Sequence, residues 1–341
     1  MSDPIRIGVL GLSHDHVWDN LNDLESNTAG QLIAVADPNQ PLLDKASESH
    51  SCNTYLDYQA MLDTEQLDAV YIFGDNATGA TLGIQAAQRG LHVLVEKPLA
   101  ATREEAQSLV DAATAANRVL MVNWPIAWWK SVQTALAMAE AGDIGDVWQV
   151  KYRAAHEGPR ELGCSTFFCD WLYNDKLNGG GAIIDYCCYG AALAAMLIGM
   201  PERVMGTRAR LIKDDIDVDD NAVIVMMYPH ASAIAEASWT TVGHLTSYFT
   251  HIYGTKGTLL AEPGDAGRLR LATTEDPDGS EIECNDQADH MKNATNHFIH
   301  CIRTGDPITR LCQASVALDA QTILSAGIQA ADSGTTVALA S

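Results

Sequence analysis

Positive charge is scarce in this sequence. Lysine and arginine together number 21 against 44 aspartates and glutamates, a net charge of −23 over 341 residues. Nucleic acid and anionic membrane surfaces are held through counterion release by a basic face, so this balance argues against both as partners. Long apolar runs are also scarce: none stands out at the roughly 20 residues that cross a bilayer. The opening MSDPIRIGVLGL lacks an apolar core followed by a small-residue cleavage site. A soluble, cytoplasmic protein is the expectation. There is no C-x-x-C among the eight cysteines, which therefore fit neither a zinc pattern nor a disulfide framework and read as reduced, mostly buried thiols. No Pro/Gly-rich or low-complexity break interrupts the chain, leaving one very large domain or two ordinary ones. The acid excess, 29 Asp to 15 Glu beside only 8 Lys, keeps a surface soluble by self-repulsion and is consistent with a saline milieu.

What the first third does contain is an alternation of two periods. Short apolar runs at 5–10, 31–36, 68–73, 91–98 and 119–123 suit strands buried on both faces. Between them, 16–27, 41–50, 58–63, 79–89 and 103–117 carry helical spacing, the fourth closed by Gly90. Such alternation predicts an α/β, doubly wound parallel sheet of the Rossmann kind.

Ligands of such sheets sit beyond the carboxyl ends of the strands. The segments placed there are GLSHDH at 11–16, Asp37, and Glu96-Lys97-Pro98. The first departs from G-x-G-x-x-G: Gly11 is present, but Ser13 and His16 hold the second and third glycine positions. Ser13 still allows close approach of a pyrophosphate to the helix N-terminus, and His14 is a polar loop residue beside it. Asp37, 26 residues after Gly11, is placed to accept the ribose hydroxyls, although an Asp before Pro also simply starts a turn. No Lys or Arg follows in PNQPLL, so NAD is expected over NADP. His14 and His16 lack a third ligand at ligand spacing, and no metal is expected.

HVLVEKPLA at 92–100, VADPN at 35–39, LDAVYIFGDN at 67–76 and NGGGAIIDYCCYG at 178–190 together resemble the Gfo/Idh/MocA oxidoreductases. The resemblance implies an N-terminal Rossmann domain and a C-terminal α+β domain with a large, open, mainly antiparallel sheet. The boundaries expected are 1–123 for the first, 124–310 for the second, and 311–341 for a C-terminal helix and tail packing back on the first. It also implies that Lys97 reaches the reacting hydroxyl and the nicotinamide with Glu96 beside it, and that Pro98 follows a cis bond. Asp185 then binds substrate, and Tyr189 takes the place of the family's usual general acid/base histidine, as in the subgroup resembling glucose–fructose oxidoreductase and the dihydrodiol dehydrogenases. Asn76 is kept at the cofactor, while the histidine expected three residues later is Gly79.

Residues 182–198 read as a helix, which places Asp185 and Tyr189, at i and i+4, on one face. A tyrosine with its ordinary pKa near 10 is a poor base at neutral pH, and an adjacent Lys97 ammonium is expected to lower it. Tyr189 would then take the substrate proton while Lys97 orients the hydroxyl.

Downstream, 147–156, 202–212, 220–228, 231–240, 247–254 and 257–262 alternate as half-buried strands do, with a hairpin at YPHA. A broad sheet with one free face predicts a homodimer or homotetramer. The interdomain cleft is expected to draw on Trp124, Trp128, Trp129, His156, Arg160, Asp170, Trp171 and Tyr173, with Trp124, His156 and Arg160 as substrate contacts; aromatic faces with a few polar groups suit a carbohydrate or cyclic polyol. The leading expectation is an NAD-dependent dehydrogenase of a sugar, inositol or related polyol. The alternatives are an NAD-dependent glycosidase and a non-catalytic sugar- or nucleotide-sensing regulator of the same fold.

Overall fold

The apolar runs of the first third become six parallel strands: β1 (Ile5–Leu10), β2 (Gly30–Ala36), β3 (Asn53–Tyr55), β4 (Ala69–Ile72), β5 (His92–Glu96) and β6 (Leu120–Asn123). A computed structural model describes residues 3–245 and 247–339. The strand order is β3-β2-β1-β4-β5-β6, so the order reverses between β1 and β4, where such sheets open a ligand crevice. Helices α1 (Val17–Ser26), α2 (Gln40–Ser49), α3 (Tyr58–Thr64), α4 (Asn76–Gln88) and α5 (Arg103–Ala115) make the crossovers. The central strands are buried on both faces. β3 went unforeseen because Asn53–Tyr55 is a mostly exposed edge strand with no apolar run.

The second half begins with α6 (Lys130–Ala141), preceded by a 3-10 turn at Pro125–Trp128. Proline fixes that tighter entry. Strand β7 (Val147–Ala155) follows, then helices α7 (Thr166–Leu172), α8 (Asp175–Asn178) and α9 (Ala182–Leu197). The remaining strands are β8 (Arg203–Ala209), β9 (Asn221–Met227), β10 (Ser232–Ser238), β11 (Tyr248–Gly254), β12 (Gly257–Ala261), β13 (Leu269–Thr273), β14 (Ser280–Ile282) and, after helices α10 (Ala294–Thr304) and α11 (Ala314–Ser333), β15 (Val337–Ala338). They form a nine-stranded sheet in the order β14-β13-β12-β11-β7-β10-β9-β8-β15. Its pairs are antiparallel except β7 with β10. β13 to β15 are short additions that the sequence reading left out.

Helix α9 is the core of this half. It lies between the sheet, on β10, β7 and β9, and helix α11. Covered on both sides, it is apolar all round. The stretch Asp175–Leu197 is in fact long and apolar enough to cross a membrane, contrary to the sequence expectation, but 83% of its most apolar window is buried inside the fold. A Cβ added at Gly190 would come within 2.5 Å of the Ala235 Cβ, so glycine there lets α9 settle onto β10. α11 also touches α5, tying the second half back to the first.

Candidate functional site

The glycine loop is built to bring two strand ends together. Gly11 has φ +87°, and a Cβ on it would lie 2.6 Å from the Gly74 amide nitrogen, so the turns after β1 and β4 touch only because Gly11 has no side chain. Asp37, 1% exposed, braces this turn: Oδ2 accepts the Leu12 N–H at 2.7 Å, and Oδ1 accepts the Asn39 backbone and side-chain N–H groups, both at 2.8 Å. The turn-starting role of an Asp before Pro is therefore filled, with the carboxylate facing the loop a dinucleotide would follow.

His14 does not stand out on the loop. It is buried against Phe168 and Trp171, ring centroids 4.6 and 5.7 Å away, and Ser165 donates its N–H to the Asp15 carboxylate at 2.7 Å to hold that cover in place. Its Nδ1 accepts the His16 N–H at 3.2 Å, which leaves the ring proton on Nε2, an atom with no partner among the described residues. Burial, then the charges of His16 and Lys97, hold its pKa well below the usual histidine value. His16, at the third-glycine position, places Nδ1 2.9 Å from Glu96 Oε1, and Glu96 Oε2 accepts from Asn123 Nδ2 at 2.7 Å. A third ligand type thus does reach the two histidines, from β5, and the ligand atoms of His14, His16 and Glu96 lie within 4.8 Å of one another. The sequence argument against a metal rested on that missing ligand, and here it needs correcting. Within the cluster His14 Nδ1, His16 Nδ1 and both Glu96 oxygens are spent on neighbours, and His14 Nε2 is the atom left over.

The carboxyl end of β5 and the amino end of α9 meet at Lys97 and Asp185. The Lys97–Pro98 bond is cis. Lys97 Nζ donates to Asp185 Oδ1 at 2.7 Å and to the Asp185 carbonyl at 3.2 Å, and Trp239 Nε1 donates to Asp185 Oδ2 at 3.2 Å. Both charged residues are nearly inaccessible, at 3% and 6% exposure. Burial pulls the Lys97 pKa down, but the Asp185 carboxylate, with Cys188 and Glu96 behind it, outweighs burial and leaves it above the ordinary lysine value. The first turn of α9 is capped from outside: Asp219 accepts the N–H groups of Gly181 at 3.0 Å and Ile183 at 2.8 Å.

Tyr189 shares the helix face with Asp185 as the spacing implied, but its ionisation does not follow the sequence argument. Burial, then Tyr152 and Cys188, push its pKa well above the usual tyrosine value. The Lys97 ammonium lies 5.2 Å from the centre of its ring, over the face rather than at the hydroxyl, and its charge is already paired with Asp185.

Three cavities meet around His16. The wider one, about 440 Å³, is walled by Trp129, Tyr152, Tyr186, Tyr189 and Tyr248. An inner one, about 170 Å³, holds Lys97, Asp185, His14 and His156 and shares Tyr186 and Tyr189 with the first. A third, about 360 Å³, runs along Asp19 and Asp23 to Lys292. The other expected contacts distribute unevenly. Trp129 lines two cavities, whereas Trp124 is buried behind Tyr189, ring centroids 5.5 Å apart. Trp128 donates to Asn123 Oδ1 at 2.9 Å. His156 reaches the inner cavity with both ring nitrogens engaged. Arg160, expected at the substrate, turns instead to an ion pair with Asp215 and stacks 4.5 Å over the Tyr173 ring, because exposed acids outside the cleft compete for it. Asp170 is exposed and Trp171 covers His14. Asn76 donates to the Asn178 side chain at 2.8 Å and its carbonyl at 3.1 Å, stapling α4 to α8 rather than lining a cavity. Gly79 is packed 3.3 Å from Ile72 at its Cβ position. Tyr152, Tyr186, Tyr248 and Asp219 escaped the sequence reading. Only Tyr186, next to Asp185, carried a sequence signal.

The parts a nicotinamide dinucleotide requires are thus present: the strand reversal, the close turn at Gly11, a carboxylate ending β2 and a lysine ending β5. The model of an oxidoreductase family with an NAD-binding Rossmann fold, GFO_IDH_MocA, matches residues 5–124, and the GFO/IDH/MocA C-terminal domain matches 132–260. D-xylose 1-dehydrogenase (NADP(+)) 2 of Haloferax volcanii is 30% identical over 260 residues, 74% of this chain and 75% of its own. D-xylose 1-dehydrogenase [NADP(+)] of Haloarcula marismortui is 26% identical over 317 residues, 89% of this chain and 84% of its own. An inositol dehydrogenase homolog of Azotobacter vinelandii, solved with NAD+, superposes with a TM-score of 0.86 at 20% identity, covering 99% of this chain and 98% of that one.

Proposed function

The chain belongs to the GFO/IDH/MocA oxidoreductase family, and on that footing we propose that it is an NAD-dependent dehydrogenase acting on a secondary alcohol of a sugar, inositol or related polyol. The observation that carries this reading is the buried Lys97–Asp185 pair, 2.7 Å apart, at the wall shared with the tyrosine-lined cavities. A bound nicotinamide supplies or accepts the hydride. The chain's own part is to present the Lys97 ammonium to the substrate oxygen, held in place by Asp185 and Trp239, and to cover the apolar sugar face with the Trp129 and tyrosine rings. An ammonium aimed at the oxygen favours the charge that grows on it in the transition state.

The preference for NAD rests on Asp37, a carboxylate followed by no cation in PNQPLL, which would repel a 2′-phosphate. The two haloarchaeal relatives are named as NADP(+) enzymes, so this is the part of the reading most open to test. The uncovered face of the nine-stranded sheet, with Trp148 and Met205 at 43% and 48% exposure, supports pairing with a second copy. The test is a titration with NADH and, separately, NADPH, reading energy transfer from tryptophan to bound nicotinamide, followed by an absorbance screen of sugars and polyols. Saturable binding with NADH preferred and turnover of a polyol supports the proposal. NADPH preference removes the Asp37 argument; no binding of either favours a ligand-sensing regulator.

A further inference from the structure

Lys97 and Asp185 are 3% and 6% exposed. A proton released beside them, once substrate and cofactor fill the cavities, has no open path to water. The structure offers one through side chains. Tyr186, next to Asp185 on α9, lies on the wall shared by the inner and wider cavities. Its Oη is 2.7 Å from His156 Nε2 and 3.3 Å from Tyr248 Oη. The first of these bonds has a fixed direction. Gly158 donates its N–H to His156 Nδ1 at 2.9 Å, so the neutral ring carries its proton on Nε2 and donates it to Tyr186. Tyr186 keeps its own proton to give, with Tyr248 next in line, and Tyr248 borders the wider cavity.

Tyr189 has none of this: among the described residues its hydroxyl has no hydrogen-bond partner. Nor does the ammonium choose between the two, since Lys97 Nζ is 5.7 Å from the Tyr186 ring centre and 5.2 Å from that of Tyr189. A hydrogen bond donated to a phenolate oxygen stabilises it, and only Tyr186 receives one. The ionisable groups facing the chain are Asp185, Lys97, Tyr152 and Tyr189 around Tyr186, and Asp185, Lys213 and Glu161 around His156. Burial keeps His156 below the ordinary histidine pKa, which holds the ring neutral and its tautomer fixed.

We propose that Tyr186, steadied by His156 and opening onto Tyr248, carries the reaction's proton between the buried Lys97–Asp185 end of the site and the wider cavity. This rests on the dehydrogenase reading. On oxidation the substrate O–H bond breaks and its proton joins the Tyr186 oxygen, while the Tyr186 proton passes to Tyr248 and the Tyr248 proton to water. The hydride, with its electron pair, leaves separately to the nicotinamide. Reduction of the carbonyl runs the same transfers backwards. His156 moves no proton, because Gly158 occupies its second nitrogen; it is a positioning residue.

The test compares Tyr186→Phe, Tyr248→Phe, His156→Ala and His156→Gln in the full-length protein. Tyr186→Phe is expected to lower kcat by about 10²–10⁴-fold with NADH affinity unchanged. Tyr248→Phe should cost less, about tenfold, and enlarge the solvent deuterium isotope effect. His156→Ala should move the alkaline limb of the pH–rate profile upward, and His156→Gln, which restores an N–H donor, should move it back. A Tyr189→Phe enzyme that is inactive beside a Tyr186→Phe enzyme within about threefold of wild type overturns the proposal and leaves the dehydrogenase reading standing. A readout independent of turnover is ¹⁵N-histidine NMR of the cofactor-free protein. It should show His156 as the Nε2–H tautomer, with a signal that moves in Tyr186→Phe. An Nδ1–H tautomer, or a signal that ignores Tyr186, overturns the proposal whether or not the protein turns over any sugar.

Discussion

The two sheets of this protein handle their surfaces in opposite ways, and the site inherits both habits. The parallel sheet, its exposed edge strand β3 apart, carries helices on both faces, and β4, β5 and β6 are almost wholly buried. In the nine-stranded sheet β9 and β10 alternate buried and half-buried positions, with α9 and α11 on one face. Polar groups delivered by the first sheet arrive already paired: Asp37 holds three N–H groups, and Glu96 holds His16 and Asn123. The second half delivers hydroxyls along a cavity wall. One half acts as a rigid socket, and the other supplies groups with protons still to exchange. Lys97 and Asp185 are where the two are joined.

The largest effect should come from breaking that joint. Asp185→Asn leaves a buried ammonium without its counter-charge, a loss expected to cost about 3–5 kcal/mol of stability. Lys97→Met strands the carboxylate in the same way, apart from the Trp239 N–H, and abolishes turnover as well. If the two act as one pair, Lys97→Met/Asp185→Leu should recover most of the stability lost by either single change, though none of the activity. Urea unfolding of the four proteins measures it. Additive losses would mean that the two charges are stabilised separately.

A smaller effect tests whether the second half positions its groups through α9 alone. Asp219, on the loop before β9, holds the Gly181 and Ile183 amides at the start of that helix. Asp219→Ala frees both, and the expected loss is about 1–2 kcal/mol, typical of a helix cap. The same change should raise KM and lower kcat together by letting Asp185 and Tyr186 shift, while NADH affinity, set in the other half, stays put. A variant destabilised but kinetically normal would show that α9 is seated by Gly190 on β10 rather than by its cap.

How much of this was legible in the sequence follows the same division. Strands buried on both faces leave unbroken apolar runs, so β1, β2, β4, β5 and β6 could be read directly, and the alternation of β7 to β12 was nearly as clear. β3, β13, β14 and β15 are short or exposed and leave no run to read. Lys97, Asp185 and Tyr189 were found because a motif fixes their place along the chain. Pairings across the fold were not legible: Glu96 reaches His16 across 80 residues, and Tyr248 reaches Tyr186 across 62. Each meeting is made within one half, by the order of its strands and the seating of its helices, which no local pattern encodes. Charge misled twice. Lys97 was expected to acidify Tyr189 but spends itself on Asp185, and Arg160 was expected in the cleft but finds Asp215 outside it.

The smallest effect concerns the seam rather than the centre. On α1, Asp23 faces the third cavity beside Asp19, across from Lys292 on the approach to α10. Burial, and then the Asp19 charge, push its pKa up to about 6. In the unfolded chain the same carboxyl titrates near its ordinary value, about 4. The folded protein therefore holds this proton more tightly, and the stability that the proton confers is present at low pH and lost as pH rises through about 6. Half exposure screens the interaction, so the gain from removing the charge should be well under the value for a buried group, about 1 kcal/mol or less. Asp23→Asn should accordingly stabilise the protein slightly at pH 7, do nothing at pH 4, and flatten the stability profile between. A profile of unfolding free energy against pH that is parallel in the two proteins would show that Asp23 does not hold its proton, and that the seam, unlike the centre, is indifferent to charge.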